Sequence, residues 1–148
     1  MDIKLLPDWE LGYLAGFIDA DGSIGIVSVA KHKQYVGQIA VTNCNKDIVD
    51  LYAKYFGGKI RERIWKNSKW KPCYEWKLTA DQACDVIALL YAFLKLKQKQ
   101  ADLVLNLHQI KNEHNATAKR WHPELKIESD KRCAVLKEQC AALNKRGT

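Results

Sequence analysis

The sequence predicts an α+β fold with the element order α, ββ, α, ββ, α and further helices at the C-terminal end, on three observations. Apolar stripes of helical period precede each of two segments in which apolar residues alternate with others. Each alternating segment is broken once by a short polar run, as a hairpin would be. No low-complexity linker divides the 148 residues, which suffice for one domain, 1–148, with a sizeable core. Such an order assembles four antiparallel strands with helices on one face and leaves the other face open.

Residues 1–7 read as extended, and Pro7-Asp8 as a helix entry with Asp8 at the N-cap. The first helix is expected over about residues 9–20. Leu11, Leu14 and Ile18 form its apolar face, whereas Gly12, Ala15, Gly16 and Asp19 are grouped on a nearly bare one. Two glycines spaced Gly-x-x-x-Gly each cost about 1 kcal/mol relative to alanine, so they point to a closely approaching backbone. A second copy of the same helix is the natural partner, which makes the four bare-face residues candidates for a dimer interface. Asp21 ends the helix, and Gly22 is expected to take the left-handed conformation that stops it. A carboxylate beside unpaired carbonyls at the negative helix pole is disfavoured without a cation, so Asp21 is a candidate metal ligand.

Ile24, Ile26, Val27 and Val29, a break at Lys31-His32-Lys33, and Tyr35, Ile39 and Val41 describe the first hairpin. Composition leaves the parity of its first strand open. On the return strand Tyr35, Ile39 and Val41 are expected to meet the core, and Gln34, Val36, Gln38 and Ala40 the other side. A helical stripe from Ile48 to Phe56 follows, ended by Gly57-Gly58. The second hairpin is expected over 59–66 and 72–79. Lys59, Arg61, Arg63 and Trp65 share one parity in its first strand, while Tyr74-Glu75-Trp76-Lys77 fits either parity. A third helix is expected over about 82–93, then one through Leu103, Leu105, Leu107 and Ile110, a polar loop over 112–122 closed by Pro123, and a last helix over about 130–143.

The formal charge of +7 and pI near 9.1 favour an anionic partner, and two basic hairpins favour nucleic acid over a merely solvated edge. No apolar run is long enough to span a bilayer, and the N-terminus lacks a signal-peptide pattern, so the expectation is a soluble intracellular protein without a membrane partner. Five cysteines, none in a Cys-x-x-Cys pair, argue against a disulfide framework and a zinc knuckle. Cys133 and Cys140 lie seven apart and read as small core hydrophobes. The histidines near them show none of the usual metal-ligand spacings.

Leu14-Ala15-Gly16-Phe17-Ile18-Asp19-Ala20-Asp21-Gly22-Ser23 resembles the motif that names the LAGLIDADG homing endonucleases. Residues 93–105, FLKLKQKQADLVL, and residues 139–144 are similar to the family's single-motif, homodimeric branch. The resemblance implies the αββαββα homing-endonuclease fold, with the four-stranded antiparallel sheet as a DNA-binding saddle and helices on its other face. It implies a homodimer that makes a double-strand break in double-stranded DNA, dependent on Mg2+ or Mn2+, in the service of intron homing, in a prokaryotic cytoplasm or an organelle matrix. Asp21 would bind metal with its symmetry mate and a backbone carbonyl near Ala20. Lys95, Lys97 and Lys99 read by themselves equally as a solvated cationic turn; the resemblance selects Lys97 as the lysine beside the scissile phosphate. Asn43 stands where the family often has glutamine and would hold a water. Asp47 stands where close relatives commonly have arginine, a departure that bears on catalytic competence.

Recognition divides into two parts. Lys31, Lys33, Lys59, Lys66 and Lys69 suit phosphate contacts, and Gln34, Gln38, Arg61 and Arg63 suit base edges, with Trp65 ending the basic strand face. Strands of about eight to ten residues span roughly nine base pairs, so a dimer would cover about twenty in a pseudo-palindrome. An intron-RNA maturase and a non-cleaving DNA-binding regulator on the same scaffold are the alternatives.

Overall fold

Two hairpins joined edge to edge make the sheet. The computed structural model describes residues 6–29, 34–64, 66, 69–117 and 123–145. Helix α1 (Asp8–Asp21) leads into β1 (Gly22–Val29) and β2 (Gln34–Asn43), then α2 (Lys46–Phe56), β3 (Ile60–Arg63) and β4 (Cys73–Thr79). Helix α3 (Ala80–Leu90) ends in a 3-10 turn at Tyr91–Phe93, followed by α4 (Gln98–Thr117) and α5 (Pro123–Asn144). The antiparallel order is β1-β2-β4-β3, the α+β architecture that the sequence predicts.

The register settles strand parity. Ile24 pairs with Ile39, Ile39 with Leu78, Val41 with Trp76, and Trp76 with Ile60. All but Ile60 are buried, so this face carries the core. Trp76 is fully buried against Tyr52 and Phe56, with ring centroids 5.1 and 6.0 Å away. Its indole Nε1 donates to the Gly57 carbonyl at 2.8 Å, so the polar edge of a large core ring is satisfied. Tyr52 in turn donates its hydroxyl to the Leu14 carbonyl at 2.7 Å, joining α2 to α1. Burial drives the Tyr52 phenol well above its usual pKa, which keeps it a neutral donor.

Backbone conformation explains several boundaries. Gly57 and Gly58, at φ 79° and 92°, make the turn after α2. Gly22 corrects the expectation of a left-handed stop: its φ is −87° and the chain leaves α1 directly as a strand. A Cβ there would lie 2.8 Å from the Ile18 Cα and 3.1 Å from the Ala40 carbonyl oxygen, so close approach, not handedness, requires glycine. Pro7, without a side-chain bond, holds the N-cap position, and Asp8 is already helical. Residues 112–117 of the loop expected over 112–122 are helical, because α4 continues to Thr117, and the last helix starts before 130, at Pro123, where the missing N–H costs no helical bond. Residues 1–5, 30–33, 65, 67–68, 118–122 and 146–148 lie outside the described residues.

The last two helices pack on the same side. Val104 of α4 sits over Gly37, where an added Cβ would fall 2.4 Å from its Cγ1. At the sheet edge Asn144 donates to the Ile24 carbonyl at 2.9 Å and accepts from Gln100 at 3.2 Å, tying α5, β1 and α4 together. Gly37→Ala is expected to overpack this contact and cost about 1–3 kcal/mol. Urea denaturation checks it, and Val104→Ala in the same chain should recover part of the loss.

Candidate active site

The C-terminal end of α1 is held by the connection between α3 and α4. Asp19 is 8 % exposed, and its carboxylate accepts from the backbone N–H of Lys95 at 2.7 Å and of Lys97 at 3.0 Å. Lys97 reaches back, its ammonium donating to the Asp19 carbonyl at 2.9 Å. The last turn of α1 has no basic residue of its own, so Lys97 supplies the cation that its unpaired carbonyls favour. Lys97 is therefore not simply a solvated turn residue.

Two of the grouped bare-face residues need correction. Ala15 is fully buried with Leu11, Leu14 and Ile18, because a residue four after Leu11 and three before Ile18 shares their face. Asp19 spends both carboxylate oxygens inside its own protomer. The exposed face carries instead Trp9, Tyr13, Gly16 and Ala20, with Trp9 and Tyr13 73 % and 56 % exposed. A Cβ at Gly16 would meet nothing within 4 Å, and one at Gly12 only ordinary contact with Phe93 at 3.8 Å. Nothing in the protomer thus requires either glycine.

Asp21 is exposed, one residue before β1. Because Gly22 pairs with Val41, the end of β2 that carries Asn43 runs past the same end of the sheet. Asn43 commits its side-chain oxygen to the Asn45 N–H at 2.7 Å, which leaves its amide as a donor. Asn45 caps α2 by accepting from the Asp47 N–H at 3.0 Å. Asp47 is consistent with that position, since an acidic residue in a first turn complements the helix dipole. Lys46, a possible source of replacement charge, is paired with Asp50 at 3.2 Å. Among the described residues no group of three His, Cys, Asp or Glu side chains is placed to hold a metal within one protomer.

The open face of the sheet gathers the expected base-contacting set. Gln34 and Gln38 of β2 and Arg61 and Arg63 of β3 share the parity opposite to the core. Lys59 and Lys66 are exposed beside β3; Lys31, Lys33 and Trp65 lie outside the described residues. Sequence reasoning missed Thr42, Glu75 and Lys77, which fall on this same face. Glu75 opposes Arg61 and accepts an ion pair from Arg63 at 3.4 Å, so part of the positive face is locally balanced. Extending the alternation of β2 by one step finds Thr42, whereas Glu75 and Lys77 need the parity of β4, which the burial of Trp76 decides.

Several solved structures similar to this chain are of homing endonucleases. Two similar ones are crystal structures of I-CvuI. In complex with the I-CreI target in the presence of Mg, it gives a TM-score of 0.71 at 23% identity over 95% of this chain and 85% of that one. With its own target and Ca, it gives 0.68 at 25% identity over 95% and 84%. The archaeal intron-encoded homing endonuclease I-Vdi141I, complexed with DNA, gives 0.70 at 16% identity over 95% and 87%. I-SmaMI bound to cleaved DNA gives 0.63 at 19% identity, over 86% of this chain but 42% of that one. No curated protein sequence matches significantly. The family model described as LAGLIDADG endonuclease matches residues 14–105, more than half of the chain, and the chain belongs to that family.

The clamp is testable without any activity. Asp19→Ala leaves two backbone amides without their charged acceptor and is expected to cost about 3 kcal/mol in urea unfolding. Hydrogen exchange should show faster amide exchange at Lys95 and Lys97 before any change in β2.

Proposed function

We propose that two copies of this chain assemble through the exposed face of α1 into a site-specific, divalent-metal-dependent DNA endonuclease. The observation that carries the reading is the end of α1: an exposed Asp21 next to a buried, clamped Asp19, beside a helix face with exposed aromatics and a glycine that the protomer does not need. The chain matches I-CvuI over most of its length but spans less than half of I-SmaMI, which supports one motif per chain and two chains per site.

The donor set suits a shared metal. One protomer offers the Asp21 carboxylate and a carbonyl near Ala20, hard oxygen donors suited to Mg2+ or Mn2+, but too few to hold it alone. Asp21 of each copy and phosphate oxygens would complete the shell, and the bound metal would supply charge neutralisation and water activation. Lys97, anchored on the Asp19 carbonyl, would present its charge to the scissile phosphate, and the Asn43 amide would orient a water. Gln34, Gln38, Arg61 and Arg63 would read base edges in the major groove, while Lys31, Lys33, Lys59, Lys66 and the aromatic Trp65 would flank the duplex. A two-fold dimer reads a pseudo-palindrome.

Incubation with the intron-free host locus and magnesium tests this: wild type is expected to cut both strands, and chelator to stop it. Asp21→Asn should abolish cleavage with binding retained, and Lys97→Met should slow it by about 10²–10³. Cleavage that survives in Asp21→Asn would overturn the mechanism; binding without cutting by the wild type would place the chain with non-cleaving relatives. Gly16→Leu meets open space in the protomer and should leave the circular dichroism spectrum unchanged while the solution mass falls from dimer to monomer.

A further inference from the structure

Outside the candidate active site, the strongest chemistry is a cysteine pair that sequence spacing does not reveal. Cys44 follows the last residue of β2, and Cys73 opens β4. Asn43 faces Tyr74 in the β2–β4 ladder, so the next step of the register brings Cys44 opposite Cys73. The two sulfurs are 2.9 Å apart, with Cys44 exposed and Cys73 half-buried. Directly opposed strand residues have Cβ atoms about 4.5–5.5 Å apart, which meets the upper end of the separation a disulfide spans, about 3.5–4.5 Å. The ladder stops at Asn43, so the backbone can make the small closure without breaking a sheet bond. Parity sets the pair on the open face, since Cys73 is the ladder partner of Arg63.

We propose that Cys44 and Cys73 are a covalent modification site, a dithiol that a low-molecular-weight disulfide such as oxidised glutathione converts into a disulfide linking β2 to β4. The thiolate of one of the pair attacks one sulfur of the reagent, forming a mixed disulfide and expelling one glutathione thiolate. The other thiol then loses its proton and attacks the protein sulfur of that mixed disulfide, expelling the second. Two protein thiols are oxidised by two electrons, the reagent is reduced to two thiols, and these take up the two protons. The hydrogen bond between the sulfurs, with burial second, holds the Cys44 thiol above its usual range. Cys84, Cys133 and Cys140 are buried, and burial raises each of these thiols, Cys84 to about 11, so they stay protonated and inert.

The test uses the reduced full chain with excess oxidised glutathione at pH 8, quenched with iodoacetamide and mapped by peptide mass spectrometry. The expected product links the Cys44 peptide to the Cys73 peptide, leaves the other three cysteines alkylated, and returns to free thiols with dithiothreitol. Cys44→Ser should instead stop at one stable glutathione on Cys73, in a chain whose fold circular dichroism can verify. Complete alkylation of both cysteines in the treated wild type, a stable glutathione on each, or linkage spread evenly over all five cysteines would overturn the proposal.

Discussion

A single carboxylate organises the proposed centre. Asp19 accepts from two backbone amides 76 and 78 positions further along the chain, and Lys97 answers with a bond to the Asp19 carbonyl. Hydrogen bonds to an ionised acceptor are roughly twice as strong as neutral ones, and burial keeps water from competing. The contact fixes the end of α1 against the turn that starts α4, where Ala101 N–H bonds to the Lys97 carbonyl at 3.0 Å. Lys97 is thereby both the dipole partner of one helix and the first carbonyl of another. Its side chain cannot move far without giving up one of these bonds, which is the kind of support a positioned charge requires.

The sheet divides labour by parity in the same way. Residues of one parity on β2, β3 and β4 meet helices, and the others face away from them. Trp76 holds the division in place, because a one-residue slip of β4 would bring its indole to the open side and replace it in the core by Glu75 or Lys77. The free edge of β1 is occupied by Asn144, which satisfies an outward carbonyl of the strand and blocks pairing with another chain there. The open face is left as the large surface with an unspent set of amides and guanidinium groups, partly balanced by Glu75.

Much of this was legible in the sequence, for identifiable reasons. The element order follows from hydrophobic period, and the Gln34, Gln38, Arg61 and Arg63 set emerges because alternation within a strand is independent of tertiary context. The failures have two causes, an angle misjudged within one helix and a partner segment not yet placed. Ala15 is grouped with Gly12, Gly16 and Asp19 on the three-and-four spacing, although that same spacing also puts it with Leu11 and Ile18, where it is buried. Gly22 reads as a left-handed stop, whereas the reason for glycine there is the approach of the Ile18 Cα at 2.8 Å and, from β2, of the Ala40 carbonyl oxygen at 3.1 Å. Residues 112–117 resemble a loop because Asn112, Glu113, His114 and Asn115 offer no apolar stripe. Cys44 and Cys73 became neighbours only once β2 and β4 were placed in register.

The spacing Asp-Ala-Asp at the end of α1 links these observations physically. Successive helical residues are turned by about 100°, so Asp19 and Asp21 differ by about 200° and must point to nearly opposite sides. One carboxylate is therefore drawn into the protomer, where backbone amides neutralise it, and the other is left outside at the negative helix pole, exposed. Closing the gap by one residue would bring both to adjacent positions, and widening it by one would place both on the buried side. Two residues is the separation that lets one acid hold the helix end rigid while the other stays exposed at the negative helix pole.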